Sequence, residues 1–185
     1  MNKEAFYKSL RGGILGPKLE DNEVHGCEAI LAAMAGAPLS HCAYAMATAY
    51  HETARTMQPV REAYWLSEDW RRKNLRYYPW YGRGYVQLTW EANYKRADEK
   101  LGLGGALLAK ADRAMEVDIA ARIMRRGMDE GWFTGHTLAK HMPDRLAPRS
   151  QFEGARRIIN GTDKAHSIAL YAEQFQAALI AGGWA

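Results

Sequence analysis

The 185-residue sequence predicts a mainly α-helical protein with at most a short β element. Three observations lead to this fold class. Apolar residues recur at helical spacing over most of the chain, glycine and proline separate these runs, and alternation of the kind found in strands is confined to one stretch. That stretch, residues 85–89, follows Gly82 and Gly84 and is predicted to be a short strand or an extended turn. We expect residues 1–185 to form a single domain.

The helices of the N-terminal part are predicted from their caps and their apolar spacing. Asp21 or Asn22 is expected to cap the second helix, and Ser40 is expected to cap the third, which is rich in alanine and can pack closely against its neighbours. The predicted helices of this part cover residues 3–10, 21–34 and 41–53.

Residues 56–84 show no sustained period and are predicted to form a long loop, with one turn of helix at residues 68–73. Loops of this length in compact domains are usually functional. Residues 55–83 contain seven basic and three acidic residues together with many aromatic ones. This composition suits a sugar polymer, an anionic cell wall or a nucleic acid, and it equally suits a solvated loop with aromatic rings packed beneath it.

The C-terminal part is again predicted to be helical. The apolar spacing over residues 106–126 predicts one amphipathic helix, and Asp163 is expected to cap the last helix. The predicted helices of this part cover residues 90–101, 106–126, 153–159 and 167–180.

Several protein classes are excluded or disfavoured by composition. No stretch approaches the roughly 18 consecutive apolar residues of a membrane helix, and residues 1–6 lack the apolar segment of a secretory signal. Cys27 and Cys42 are too few for a disulfide framework or a four-thiolate metal site, so we expect two buried, reduced thiols in a chain made in the cytoplasm. No metal and no cofactor is predicted.

Glu52 is the first candidate catalytic residue. It shares one face of the predicted helix with the small residues Ala45, Thr48 and Ala49, which are expected to leave open space in front of the carboxylate. Apolar surroundings there would favour the protonated carboxyl that a general acid requires. The alternative is a surface glutamate at a helix end. A zinc protease motif is excluded because its second histidine would stand at position 55, which is Arg55.

A second acid is needed for glycoside cleavage, which requires one protonated and one ionised carboxyl on either side of the bond. Glu62 lies ten residues after Glu52, and Glu68 and Asp69 are further options. Acid pairs at this spacing are common in any sequence.

The segment from Tyr81 to residue 90 is more specific. Its glycines allow tight turns, Arg83 can hold a carboxylate, and Gln87 and Thr89 alternate onto one face, with Asn93 one helical turn further on. The segment lacks the lysine and the serine or threonine of a phosphate-binding loop.

Several motifs occur in the order found in family 19 glycoside hydrolases, and the chain resembles in particular the short chitinase-like endolysins of bacteriophages and prophages. The motifs are His51-Glu52-Thr53, Tyr81-Gly82-Arg83-Gly84 with Gln87-Leu88-Thr89, Asn93-Tyr94 and Ile158-Ile159-Asn160-Gly161. The endolysins also share the segments at residues 56–60 and 131–135.

The resemblance implies a lysozyme-like α-helical fold with a deep cleft and hydrolysis of β-1,4-linked amino-sugar polymers with inversion. By position, Glu52 matches the general acid, Glu62 matches the acid that activates water, and Thr89 matches a hydroxyl residue that holds this water. The positions implied to contact substrate or support the site are Tyr81, Arg83, Gln87, Asn93 and Asn160. Tyr85 and Ala92 stand where chitinases usually have proline and tyrosine, which favours a substrate other than chitin.

We therefore predict a peptidoglycan-cleaving endolysin of the muramidase type that lyses the host cell. The alternatives are a chitinase and a catalytically inactive wall-binding module. We expect a monomer that reaches the wall from the cytoplasm after release, with no nucleic-acid partner and no membrane insertion. Six cations are expected to form a basic rim on the cleft that attracts the anionic wall: Arg55, Arg61, Arg71, Arg72, Lys73 and Arg76.

Overall fold

Ten α-helices and one two-stranded antiparallel sheet make up the fold, in a computed structural model that describes residues 1–185. The helices are α1 (Lys3–Leu10), α2 (Asp21–Ala33), α3 (Leu39–Glu52), α4 (Glu68–Asn74), α5 (Glu91–Leu101), α6 (Ala106–Ala109), α7 (Val117–Glu130), α8 (Leu138–His141), α9 (Arg149–Ala155) and α10 (Ala165–Ala181). The strands are β1 (Val60–Arg61) and β2 (Arg83–Gly84), and 3-10 turns cover Ala111–Met115 and Arg156–Ile158. The predicted mainly α-helical fold class is confirmed.

Helix α3 lies at the centre of the core. Every residue of this helix from Leu39 to Tyr50 is buried, and α10 packs along it. Its alanines keep the helix thin, so that neighbouring helices approach closely on several sides. Only the last two residues, His51 and Glu52, are partly exposed. The core therefore ends where the first candidate acid begins.

The small sheet brings the second candidate acid to a defined place. Val60 pairs with Gly84 and Arg61 pairs with Arg83, so the next residue, Glu62, comes to lie against the chain that enters β2. Of the two structures predicted for residues 85–89, a short strand or an extended turn, the chain forms a turn. Gly84 and Gln87 have φ values of +86° and +52°, which turn the chain back until Leu88 pairs with Arg83.

The single helix predicted over residues 106–126 is also wrong, because the chain forms α6, a 3-10 turn and α7 there. The Asp98 carboxylate accepts hydrogen bonds from the N–H groups of Gly105 (2.6 Å) and Leu107 (2.7 Å), which fixes the start of α6. The 3-10 turn places Asp112 against Arg83. Tertiary hydrogen bonds thus outweigh a continuous helical pattern.

Several helix ends differ from the prediction. Helix α2 is capped by Glu20, which forms a capping box with Glu23, rather than by Asp21 or Asn22. Ser40 lies inside α3, and its hydroxyl donates to the carbonyl of Asp144. Helix α9 begins earlier than predicted and ends in a 3-10 turn. Helix α10 begins at Ala165, and its N-cap is Lys164 rather than Asp163. Helix α8 is an additional short helix that the sequence pattern does not predict.

Both cysteines are buried, as expected, and their thiols are free. None of the helices combines the length and the apolar character needed to span a membrane.

Acid is expected to destabilise the fold through its histidines. Burial lowers the pKa of His41, whose Nε2 lies 2.8 Å from the carbonyl oxygen of Met142, and burial also lowers the pKa of His51 and His141. The unfolded chain binds these protons more tightly, so the stabilisation is complete above the ordinary histidine pKa of about 6.5 and is lost as the pH falls below it. Urea denaturation at about pH 7.5 and pH 5.5, on either side of that value, measures the loss.

The matched variant is His41→Gln, because a glutamine amide can still donate to the Met142 carbonyl. We expect its stability to depend less on pH than that of the wild type. An equal pH dependence in the two proteins would show that His41 does not contribute.

Candidate active site

Glu52, at the C-terminal end of α3, is held by a buried arginine. The Glu52 Oε1 atom accepts a hydrogen bond of 2.7 Å from Nη1 of Arg156, whose side chain is only 2% exposed. Arg156 also donates from Nε to the carbonyl of Asp163 at 2.8 Å, so its guanidinium is fixed at both ends. The Glu52 side chain remains 19% exposed, and solvent or a ligand reaches it.

The surroundings of Glu52 differ from the expectation in two ways. A guanidinium faces the carboxylate where apolar surroundings were expected. The small-residue face of α3 is not open space, because Ala45, Thr48 and Ala49 are fully buried. Arg156 is not predictable as a site residue from the sequence, because no motif links it to Glu52, which lies 104 residues earlier in the chain.

Glu62, which directly follows β1, is held by donors without charge. Its Oε1 accepts from the Tyr77 hydroxyl at 2.6 Å, and its Oε2 accepts from the Gly82 N–H at 3.0 Å. Burial and the hydrogen bond to Glu62 raise the pKa of Tyr77 to about 12, so the phenol remains a donor near neutral pH. Both oxygens of the Glu62 carboxyl group are therefore held in place.

Position 82 is closely packed against the Gln87 and Glu62 side chains. A Cβ atom there would lie 2.7 Å from Oε1 of Gln87 and 3.3 Å from Oε2 of Glu62. The amide oxygen of Gln87 and the Glu62 carboxylate therefore converge on one short segment of backbone. Gln87 is fixed by its own hydrogen bond of 3.0 Å from Nε2 to the Val60 carbonyl.

Thr89 and Asn93 continue from Gln87. The Thr89 hydroxyl donates to the Gln87 carbonyl at 2.8 Å, and Nδ2 of Asn93 donates to the Thr89 carbonyl at 2.8 Å. Both side chains are partly exposed. The structure thus brings four of the predicted residues, Glu62, Gln87, Thr89 and Asn93, into one neighbourhood.

Tyr81 and Arg83 are buried beneath this neighbourhood and do not face a substrate. This corrects the prediction that they contact the substrate. Their side chains are 0% and 3% exposed. Arg83 does hold a carboxylate, as predicted. Its Nε donates a hydrogen bond of 2.7 Å to Oδ1 of Asp112. The Tyr81 hydroxyl donates to Glu68 at 3.0 Å.

The two alternative acids have partners on their own helix, α4. Glu68 accepts from the Nε of Arg71 at 3.3 Å as well as from Tyr81, and Asp69 pairs with Arg72 at 2.5 Å. These contacts give both acids structural roles. Asn160 is exposed, four residues after Arg156, and lies on the Arg156 side of the site.

The predicted basic rim is smaller than expected. Arg71 is buried and donates to main-chain carbonyls, Arg61 lies 3.4 Å from Asp112, and Arg72 is paired with Asp69. The cations of the rim that remain exposed without a carboxylate partner are Arg55, Lys73 and Arg76. Trp65 and Tyr64 on the same loop are 71% and 58% exposed.

No group of three or more histidine, cysteine, aspartate or glutamate side chains is arranged to hold a metal ion. The site offers two partly exposed carboxyl groups on separate elements, both fixed by hydrogen bonds, and acid–base cleavage of a glycosidic bond uses two such groups.

The fold is the lysozyme-like α-helical fold of the family 19 chitinases. Chitinase C from Streptomyces griseus HUT6037 shares it with a TM-score of 0.60 and 18% identity, over 98% of this chain and 76% of that chain. A bacterial family 19 chitinase matches with a TM-score of 0.58 and 22% identity, over 96% of this chain and 94% of that one. A chitinase C mutant matches with a TM-score of 0.59 and 17% identity, over 100% and 93%.

No protein-family model matches the sequence, and no curated protein matches it significantly. The structural likeness confirms the fold that the sequence motifs predicted.

Proposed function

We propose that the protein is a glycoside hydrolase that cleaves β-1,4 bonds of bacterial peptidoglycan with inversion and thereby lyses bacterial cells. The observation that supports this most is the pair of fixed, accessible carboxyl groups of Glu52 and Glu62 within the chitinase-like fold. In this proposal the protein acts at the cell wall as an endolysin, with muramidase specificity.

Glu52 is the general acid, which protonates the oxygen of the leaving sugar. Arg156 fixes the direction of the carboxyl group. A bound sugar covers the exposed part of the Glu52 side chain and keeps bulk water away from the proton transfer.

Glu62 is the general base, which takes a proton from the attacking water. The hydrogen bonds from Tyr77 and Gly82 fix its orientation. The Thr89 hydroxyl, which donates to the protein, still has lone pairs to accept a hydrogen bond from the water. Direct attack by this water inverts the anomeric carbon.

Peptidoglycan is favoured as the substrate by charge. Its lactyl and peptide groups carry carboxylates, and Arg55, Lys73 and Arg76 are exposed without carboxylate partners. Chitin is neutral and gains nothing from these cations. A chitinase is the second candidate, because the structures that share the fold are chitinases. An inactive wall-binding module is disfavoured by the presence of both acids.

A paired assay distinguishes these functions. We expect the protein to lyse Gram-negative cells stripped of their outer membrane and to lose activity as sodium chloride rises, because salt screens charges beyond about 8 Å at physiological strength. Efficient, salt-independent cleavage of chitohexaose without lysis would make the protein a chitinase. If the protein binds cell walls but cleaves neither substrate, the result would support the inactive wall-binding module.

A further inference from the structure

A cavity of about 420 Å³ is lined by His51, the residue that directly precedes Glu52 in the chain. It is formed where the end of α3 meets the beginning of α10. The residues that line it are His51, Ala54, Arg55, Lys164, Ser167 and Tyr171. No acidic side chain is among them.

The polar side chains of this cavity are free of protein partners. His51, Arg55, Lys164, Ser167 and Tyr171 make no side-chain hydrogen bond to the protein, and neither of the two cations has a carboxylate within salt-bridge distance. In the cavity between α5 and α7, by contrast, Lys100, Arg125 and Arg126 are each paired with an acid. A cavity lined by five polar side chains that have no protein partner is a candidate ligand site.

The two cations are placed there at a conformational cost. Arg55 and Lys164 have φ values of +73° and +56°, in the left-handed region that side chains other than glycine seldom adopt. Such strained positions are concentrated at functional sites.

His51 lies in the wall of the cavity and directly precedes Glu52 in the chain. Burial lowers the pKa of His51, and the charges of Arg156 and Lys164 lower it further, while Glu52 and Asp163 act in the opposite direction. The imidazole is therefore close both to the Glu52–Arg156 pair and to the cavity. A branched ligand can place a sugar ring at Glu52 and a second group in the cavity.

We propose that this cavity binds a carboxylate of the glycan substrate, the lactyl or peptide carboxylate of peptidoglycan. This inference rests on the proposed function. The guanidinium of Arg55 offers paired N–H donors that match a carboxylate, Lys164 adds a second positive charge, and Ser167 and Tyr171 add hydroxyl donors. Chitin carries no carboxylate, so the cavity selects peptidoglycan over chitin.

The test is the double variant Arg55→Gln/Lys164→Gln, assayed on native peptidoglycan and on peptidoglycan whose carboxylates have been converted to amides. On native peptidoglycan we expect KM to rise about 10- to 100-fold with kcat within about twofold, as befits the loss of charge-assisted hydrogen bonds. On the amidated substrate we expect the variant and the wild type to behave alike.

The matched control is Lys8→Gln/Arg11→Gln, which removes the same charges from exposed positions at α1. It should resemble the wild type on both substrates. The inference is overturned if the double variant cleaves native peptidoglycan as well as the wild type does. It is also overturned if the activity of the double variant falls equally on both substrates. In either case the proposed function stands. If the wild type cleaves neither substrate, the proposed function fails.

A free anion could use the same donors. Titration of the wild type with inorganic phosphate, followed by the amide NMR signals of Arg55 and Ser167, detects such binding. If phosphate binds while the wild type cleaves amidated and native peptidoglycan equally well, the cavity takes a free anion and the proposal is overturned. A clear preference of the wild type for the native substrate supports it.

Discussion

Replacing Glu52 with glutamine is expected to reduce the rate of wall cleavage by about 10²- to 10⁴-fold, the usual contribution of a general acid. Glutamine has nearly the same shape but no proton to transfer at the required acidity. Its amide oxygen can still accept the hydrogen bond from Arg156. The loss of rate should therefore appear in a protein that is still folded.

The stability of this variant is also predictable. Arg156 is 2% exposed and loses its counter-charge but keeps its hydrogen bonds, so the free energy of unfolding should fall by about 1–3 kcal/mol. Clearing of stripped cells and urea denaturation measure the two effects. Glu116→Gln is the matched control, since that glutamate pairs with Arg113 at the surface. Clearing at the wild-type rate by Glu52→Gln would end the assignment.

Replacing Glu62 with glutamine is expected to lower kcat by a similar factor of about 10² to 10⁴ and to change KM little. An amide cannot take a proton from water, whereas the bound substrate needs little from this side chain before the bond breaks. The initial product of the wild-type reaction should be the α-anomer, since a single displacement inverts the β-linkage. Steady-state kinetics and NMR of the fresh product measure these effects.

The controls for Glu62 are Glu68→Gln and Asp69→Asn, which alter the two other acids of the same loop region. Both should retain most of the activity, because their partners are Tyr81, Arg71 and Arg72. An inactive Glu68→Gln beside an active Glu62→Gln would move the second acid to α4. A β-anomer as the initial product would contradict inversion.

Local structure was predictable where short-range interactions determine it. Helix α1 was predicted with its observed bounds, Lys3–Leu10, and α5 and the turn of α4 lie within a residue or two of the prediction. Their caps, charges and breaks are all close in sequence. Gln87, Thr89 and Asn93 lie together as expected, because they are close in sequence, whereas Glu62 reaches them through the pairing of β1 with β2.

Several failures arise from tertiary contacts that the local sequence pattern does not show. The helix predicted over residues 106–126 is interrupted because Asp98 anchors α6 and Asp112 binds Arg83. Arg83 is buried by these contacts and so cannot reach a substrate. Arg156 could be found only in three dimensions, since its partner Glu52 belongs to the opposite half of the chain.

Mass spectrometry of peptidoglycan digested by the protein tests the central proposal most directly. After borohydride reduction, each new reducing end is labelled by the sugar alcohol it becomes. We expect N-acetylmuramitol ends in the wild-type digest and none above background with Glu52→Gln. N-acetylglucosaminitol ends would contradict the muramidase assignment, and release of peptides without any new reducing end would contradict glycoside hydrolysis itself.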